Sequence, residues 1–152
     1  MTSSPTGTPD RTAQHTELLE SAREAAHRAY VPYSHFPVGA AMLTRSGRIV
    51  QGCNVENASY GLTICAERTA ATRMIAGSAE DPDDRRITTV AVVGLKASPC
   101  FPCGACRQVL NEFGCTEVVV EEDGQVRVYP FAELLPHSFG PSDLDAAASD
   151  QD

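Results

Sequence analysis

The chain carries the stretch Ile64-Cys65-Ala66-Glu67-Arg68-Thr69-Ala70 and, about forty residues later, Pro102-Cys103-Gly104-Ala105-Cys106. Cys103 and Cys106 have the spacing of paired zinc ligands, and Cys65 precedes an acid by two residues. Three thiolates would leave the fourth position of a tetrahedral zinc ion open to water. The pattern therefore predicts a catalytic Zn²⁺ site held by Cys65, Cys103 and Cys106.

Both stretches are predicted to begin helices, over residues 65–76 and 103–113. The free N–H groups and positive dipole end at a helix start favour a thiolate over a thiol. Two such helices aimed at one metal would hold the three ligands in place before the metal binds.

The spacing leaves a second register open, because Pro99-Cys100-Phe101-Pro102-Cys103 satisfies the same pattern. In that register, or with Cys100 as a fourth ligand, the zinc would be structural. We prefer Cys103 with Cys106, because Gly104-Ala105 leaves room for close backbone approach and Arg107-Gln108-Val109-Leu110 continues a helix. The other register would place Pro102 on the turn between the ligands.

Glu67 is the predicted proton carrier, because a carboxylate beside a zinc-activated water can take its proton and deliver it to a substrate. A helix-start acid stabilised by the dipole is the plainer interpretation. Three thiolates and Zn²⁺ sum to one negative charge, so Arg68 and Arg107 are predicted to donate hydrogen bonds to the sulfurs.

The remaining pattern predicts one α/β domain over residues 12–140, with an N-terminal tail at 1–11 and an acidic tail at 141–152, both flexible. Strands alternating with helices after a first hairpin predict a mixed five-stranded sheet covered on both faces, a three-layer α/β/α fold. The other predicted helices are 16–26 and 131–135, and the predicted strands are 38–43, 48–53, 87–93, 117–120 and 125–129.

The composition and charge of the chain limit the classes of function that it can have. Twelve basic and twenty acidic side chains give a net charge of −8, which opposes binding to nucleic acid. Neither a spanning segment nor a secretory signal is recognised, so a cytosolic protein with reduced thiols is expected. Cys53 and Cys115 are predicted as small core residues, and none of the four histidines, His15, His27, His35 and His137, stands at ligand spacing.

Several motifs in this order resemble those of the small homotetrameric zinc-dependent cytidine deaminases, and the resemblance runs from about residue 13 to residue 144. Besides the two cysteine stretches, the motifs are Phe36-Pro37-Val38-Gly39-Ala40, Cys53-Asn54-Val55-Glu56-Asn57-Ala58 and Glu133-Leu134-Leu135-Pro136. The resemblance implies hydrolysis of cytidine and 2′-deoxycytidine to uridine and 2′-deoxyuridine with release of ammonia. Water activated by zinc would attack C4 with Glu67 as proton shuttle, in pyrimidine salvage.

The resemblance also implies substrate contacts and a homotetramer with active sites shared between subunits. Asn54 and Glu56, which alternation places on one face of an extended segment, would bind the ribose 3′-hydroxyl. Phe36 would stack on the pyrimidine, and the backbone of Ala66 would contact its edge. Tyr33, Tyr60 and Phe139 match, more loosely, aromatic residues that relatives bring to a neighbouring subunit's pocket.

One departure from the family and three rival functions remain. Phe101 stands where relatives have a Ser before Pro-Cys, which suggests a three-residue insertion in a loop whose carbonyl receives the substrate's amino group.

A deaminase of a nucleoside antibiotic such as blasticidin S shares the zinc and acid motifs. A polynucleotide deaminase would use His as first ligand and a basic surface. A structural zinc module leaves Glu67, Asn54 and Glu56 without a role, and ammonia release from cytidine would separate it from an enzyme.

Overall fold

The computed structural model describes residues 10–149. Five strands form one sheet: β1 Val38–Thr44, β2 Ile49–Cys53, β3 Ile87–Gly94, β4 Glu117–Glu122 and β5 Gln125–Pro130. The helices are α1 Arg11–Ala26, α2 Ala66–Ala76, α3 Gly104–Glu112, α4 Phe131–Leu134 and α5 Pro141–Ser149. Two short 3-10 turns, Tyr60–Leu62 and Pro82–Arg85, were not predicted.

The strand order is β2-β1-β3-β4-β5. Neighbouring strands are antiparallel except for β3 and β4, which are parallel. A parallel pair needs a crossover connection, and α3 lies within it. The predicted mixed five-stranded sheet is therefore confirmed.

Each face of the sheet carries its own apolar cluster, so the molecule has three layers. On one face α2 and α3 pack against the sheet; their buried side chains Ala70, Met74 and Leu110 contact alternate strand residues. On the other face Leu18, Leu19 and Ala22 of α1 cover the residues between. Strands covered on both faces tend to be continuously apolar, as the run Val90 to Val93 of β3 is.

Two glycines let the helices approach the sheet closely. A Cβ on Gly39 would stand 1.9 Å from the carbonyl oxygen of Ala22 in α1. A Cβ on Gly52 would stand 2.4 Å from both the Ala66 carbonyl oxygen and the Ala70 nitrogen in α2. These contacts leave no room for a side chain, and they fix one helix on each face.

The ends differ from the predicted tails. α1 begins at Arg11 with Asp10 as N-cap, and Glu117 holds it through Arg11 at 2.6 Å and His15 at 2.8 Å. Residues 141–149 form α5 where we predicted no regular structure, while residues 1–9 and 150–152 lie outside the described range. None of the helices in the described range is long and apolar enough to cross a membrane.

The two cysteines predicted for the core differ in burial. Cys115 is buried, as predicted, but Cys53 is only half-buried because β2 is an edge strand that ends there. Its thiol contacts the Arg28 carbonyl oxygen at 3.5 Å.

We expect Gly39→Ala and Gly52→Ala each to lower the free energy of unfolding by about 1–3 kcal/mol or more, because overpacking against helix backbone forces a shift. Gly61→Ala is the matched control, since an added Cβ there meets nothing within 4 Å. Denaturant unfolding measures all three. Parent-like stability of Gly39→Ala and Gly52→Ala would contradict the close approach.

Candidate active site

The three predicted cysteine ligands meet at the adjacent N-termini of α2 and α3. Cys65 is the N-cap of α2, Cys103 is the N-cap of α3, and Cys106 lies in the first turn of α3. The Sγ atoms of Cys103 and Cys106 are 3.5 Å apart, those of Cys65 and Cys103 are 3.9 Å apart, and all three lie within 4.8 Å of one another.

This geometry fits zinc. Tetrahedral coordination with Zn–S bonds of about 2.3 Å separates sulfur ligands by about 3.8 Å, close to the separations in the trio. Cys106 is buried whereas Cys103 is exposed, so the site opens to the surface on the Cys103 side.

Cys65 ionises more readily than an ordinary thiol. A hydrogen bond from Cys106 and, against partial burial, the Arg68 guanidinium lower the pKa of Cys65 to about 5. Arg68 also donates to the Thr63 carbonyl oxygen at 3.0 Å, and its buried Nε has no partner among residues 10–149. The lowering of the Cys65 pKa by Arg68 has the direction that the predicted charge balance requires.

Glu67 lies against the same trio. Its side chain is buried, with 4% of the residue exposed, and its Oε2 accepts from the Cys106 thiol at 3.6 Å. Burial, reinforced by the negative charge of Cys65, raises the pKa of Glu67 to about 7. A carboxyl group with such a pKa can both accept and donate a proton near neutral pH.

Ala66, between Cys65 and Glu67, is fully buried as the first residue of α2. Its carbonyl oxygen packs against Gly52 of the sheet. Of the Ala66 N–H and carbonyl group, the carbonyl therefore faces the sheet. The N–H belongs to the first helical turn, whose donors have no partner within the helix.

Cys100 lies outside the trio, in the loop 95–103 that connects β3 to α3. Its sulfur packs toward Gly94, 3.2 Å from where a Cβ would stand. Burial raises the pKa of Cys100 to about 11, which keeps it a thiol. The structure therefore favours the preferred register of Cys103 with Cys106.

The segment 54–56 lies beside the chain that leads into Cys65. Val55 exchanges two backbone hydrogen bonds of 2.9 Å with Ile64, one residue before that ligand. On its other side the Glu56 N–H donates to Tyr30 at 2.9 Å. An extended segment anchored on both sides holds the side chains of Asn54 and Glu56 in fixed directions.

Both of these side chains reach the loop 33–38, which agrees with the predicted shared face. Asn54 donates through Nδ2 to the Phe36 carbonyl oxygen and accepts through Oδ1 from the Val38 N–H, both at 2.9 Å. Glu56 accepts through Oε2 from the N–H groups of Tyr33 at 2.9 Å and Ser34 at 3.2 Å. The Ser34 hydroxyl and these N–H groups lower the pKa of Glu56.

Comparison with known proteins gives one consistent answer. The family model described as "Cytidine and deoxycytidylate deaminase zinc-binding region" matches residues 12–122. The chain is 46% identical to a cytidine deaminase of Mycobacterium tuberculosis, over 84% of this chain and 90% of that protein. It is 42% identical to one from Sporosarcina psychrophila, over 87% and 96%.

A solved structure agrees: the cytidine deaminase from Burkholderia pseudomallei superposes with a TM-score of 0.73 at 48% identity, over 82% of this chain and 98% of that one.

This chain belongs to the cytidine and deoxycytidylate deaminase family. Zn²⁺ is the cofactor, because the matched region is the zinc-binding one and the trio of thiols suits that metal. The fold brings the three cysteines together, since both helices that carry them pack on the same face of the sheet.

We predicted that Arg107 donates hydrogen bonds to the sulfurs, but in the structure it donates to backbone carbonyl groups. Its Nε donates to the Pro102 carbonyl oxygen and its Nη1 to the Leu134 carbonyl oxygen, both at 2.8 Å. Adjacency to Cys106 in sequence was misleading, because consecutive helical residues point about 100° apart. Arg107 instead fixes the backbone immediately before Cys103.

The same loop accommodates Phe101, the departure from the deaminase motif. Its ring packs edge-on against Tyr129 of β5 with centroids 5.0 Å apart. Ser98 donates to the Glu121 carbonyl oxygen at 2.6 Å. The loop 95–103 is thus tied to the strands β4 and β5.

A small pocket beside Glu56 contains residues that the sequence analysis gave little weight or missed. Tyr33, Ser34, Glu56, Tyr60 and Thr63 line a cavity of about 220 Å³. Tyr33 and Tyr60 pair with centroids 5.7 Å apart. Ser34 and Thr63 were not singled out, and the pairing of Val55 with Ile64 is the signal that places Thr63 near Glu56.

Zinc content of two variants tests the register. We expect Cys100→Ser to keep about one zinc per chain and Cys106→Ser to lose most of it, because only the latter removes a sulfur from the trio. Elemental analysis after dialysis measures both. Retention of zinc by Cys106→Ser with loss from Cys100→Ser would reverse the assignment.

Proposed function

We propose that this protein hydrolyses cytidine and 2′-deoxycytidine to uridine and 2′-deoxyuridine with release of ammonia, and that it serves pyrimidine salvage. The observation that carries the proposal is a buried carboxyl group, Glu67, held against three convergent thiols in a member of the deaminase family.

Cys65, Cys103 and Cys106 would hold the zinc. When bound, Zn²⁺ supplies a Lewis acid that lowers the pKa of a water molecule toward about 7. As water adds to C4 of the pyrimidine, the Glu67 carboxylate takes one proton from it and delivers that proton to N3. Glu67 then passes the second proton of the former water to the amino group, which departs as ammonia.

Burial of Glu67 suits this cycle. Each half of the reaction needs the carboxyl group in the opposite protonation state, and a pKa of about 7 makes both states accessible. Glu67 also lies on the first turn of a helix, so the backbone keeps its carboxyl group in place throughout.

The groups around the loop 33–38 would bind the nucleoside. Phe36 would stack on the base, and the Ala66 N–H would contact the base edge. Glu56 would accept a hydrogen bond from a sugar hydroxyl. A small nucleoside agrees with the cavity of about 220 Å³ at Glu56. The net charge of −8 opposes a polynucleotide substrate.

We expect Glu67→Gln to retain zinc and nucleoside binding but to release ammonia from cytidine at least about 10²-fold more slowly, since one acid–base group contributes about 10²–10⁴ in rate. A coupled ammonia assay measures the parent and the variant. Full activity of Glu67→Gln would remove Glu67 from the mechanism; an inactive zinc-loaded parent would remove the proposed reaction.

The proposal includes a homotetramer whose sites are completed by neighbouring subunits. Phe139 is 61% exposed and Tyr60 is 73% exposed, so both rings are accessible to a second subunit. An apolar surface groove of about 490 Å³ on α2 and α3 is lined by residues that include Ile64, Ala71, Ile75, Val109 and Phe113.

Phe139 is also presented rigidly. Gln108 and Asn111 of α3 both donate to its backbone carbonyl oxygen, at 2.9 and 3.1 Å. An exposed aromatic side chain on a fixed backbone suits insertion into a second subunit, because little entropy is lost on binding.

Light scattering on the zinc-loaded protein is expected to give four chains per particle. Phe139→Ala is expected to remain tetrameric and to raise KM for cytidine about two- to tenfold, the range of one aromatic contact. Leu144→Ala, another exposed apolar residue, is the control and should leave KM unchanged. A fully active monomer would contradict both claims, and an unchanged KM in Phe139→Ala would contradict the shared pocket alone.

A cytosolic location completes the proposal. Three thiols must stay reduced to bind zinc, and all six cysteines of the chain are free in the structure. The cytosol maintains that state.

A further inference from the structure

The three thiols of the trio are not held in place by the same means. Cys106 is fully buried in the first turn of α3, so close packing fixes its side chain. Cys65 is half-buried, whereas Cys103 is exposed. Packing alone therefore cannot fix Cys103, and the direction of its thiol depends on how its backbone is held.

Arg107 holds that backbone on both sides of Cys103. Its side-chain Nε donates to the Pro102 carbonyl oxygen at 2.8 Å, and its own N–H donates to the Cys103 carbonyl oxygen at 2.9 Å. These two carbonyl groups belong to the peptide units that precede and follow Cys103. One residue thus fixes both ends of the exposed ligand's backbone.

The other end of the Arg107 guanidinium is attached to the core through α4. Its Nη1 donates to the Leu134 carbonyl oxygen at 2.8 Å. Phe131, the first residue of α4, is buried in the core, and its N–H donates to the Thr116 carbonyl oxygen at 2.9 Å. The motif Glu133-Leu134-Leu135-Pro136, which has no part in the proposed reaction, thus supplies a fixed acceptor for Arg107.

Ion pairing does not explain the position of Arg107. Within residues 10–149, no carboxylate lies within ion-pair distance of its guanidinium. Arg107 also lies near the start of α3, where the positive end of the helix dipole disfavours a cation. The planar guanidinium instead offers its donors in a fixed fork, which can bond two carbonyl groups at once.

We propose that Arg107 is a positioning residue for the metal site, which ties the backbone of Cys103 to Leu134 and thereby lengthens the time that zinc stays bound. The inference rests on the proposed zinc ligands Cys65, Cys103 and Cys106. Without the tie, the metal itself must order the exposed ligand each time it binds. Groups that orient metal ligands in this way typically contribute about 10- to 100-fold in metal affinity.

Arg107→Lys tests the proposal because it keeps the positive charge and loses the fork. A single ammonium nitrogen cannot replace two donors on separate arms of a guanidinium. We expect zinc to leave this variant about 10- to 100-fold faster than it leaves the parent. The rate is measured on zinc-loaded protein mixed with excess of a chromogenic zinc chelator. Parent-like release would overturn the proposal, since the charge alone would then be sufficient.

Arg48→Lys is the matched control. Arg48 also donates to two backbone carbonyl groups, those of Gly77 at 3.1 Å and Met74 at 3.3 Å, at the opposite end of α2 from Cys65. Both lysine variants should unfold at a lower temperature than the parent. Zinc release from Arg48→Lys should stay within about twofold of the parent, because distant sites act independently. Equal acceleration in both variants would overturn the proposal, since general loosening would then explain it.

Zinc release needs no substrate, so the test separates the role of Arg107 from the proposed reaction. A zinc-loaded parent that releases no ammonia from cytidine would remove the proposed function, and the release rates would still decide the role of Arg107. A parent that binds no zinc would overturn both. Thermal unfolding confirms that each variant is folded; should Arg107→Lys not fold, Arg107→Gln measured against Arg48→Gln carries the same comparison.

Discussion

The close approach of α2 to strand β2 at Gly52 sets the position of the first turn of α2, on which half of the candidate site lies. The helix backbone at Ala66 and Ala70 lies directly on this glycine. Cys65 precedes Ala66 and Glu67 follows it, so the first proposed ligand and the proposed proton carrier are fixed relative to the sheet. The other two proposed ligands, Cys103 and Cys106, are fixed independently, because α3 must cross between the parallel strands β3 and β4. Two constraints of one sheet thus bring the N-termini of two helices together.

That convergence also sets the electrostatics. A hydrogen bond from Cys106 and the guanidinium of Arg68 favour the thiolate of Cys65, whereas burial in the same place disfavours the charged form of Glu67. The same location therefore pushes the two groups in opposite directions, toward a charged ligand and a carboxyl group that is readily protonated. Both states suit a zinc-dependent hydrolysis that moves protons.

The trio and its helices could be predicted from sequence because the signals are local: two cysteines one helical turn apart and an acid two residues after a third. The register was harder to predict, since Cys100 satisfies the same spacing; Gly104-Ala105 and the helical continuation after Cys106 favoured Cys103 with Cys106, and the group of three sulfurs without Cys100 agrees with that preference. Strand alternation gave the common face of Asn54 and Glu56 but not their partners, which come from a loop about twenty residues away. α5 was missed because its acidic composition outweighed its alanines, which are strong helix formers.

Side-chain donors hold the backbone of each loop around the site. Arg107 binds the carbonyl oxygen before Cys103, Asn54 binds that of Phe36, and Gln108 with Asn111 binds that of Phe139. Such loops bury little apolar area, so hydrogen bonds from regular elements must supply the order that packing supplies elsewhere. Order established on folding need not be established again when a substrate binds, which leaves more of the binding energy for orienting the reacting ring. These polar side chains therefore act on the protein's own backbone, which holds the loops in place before any ligand binds.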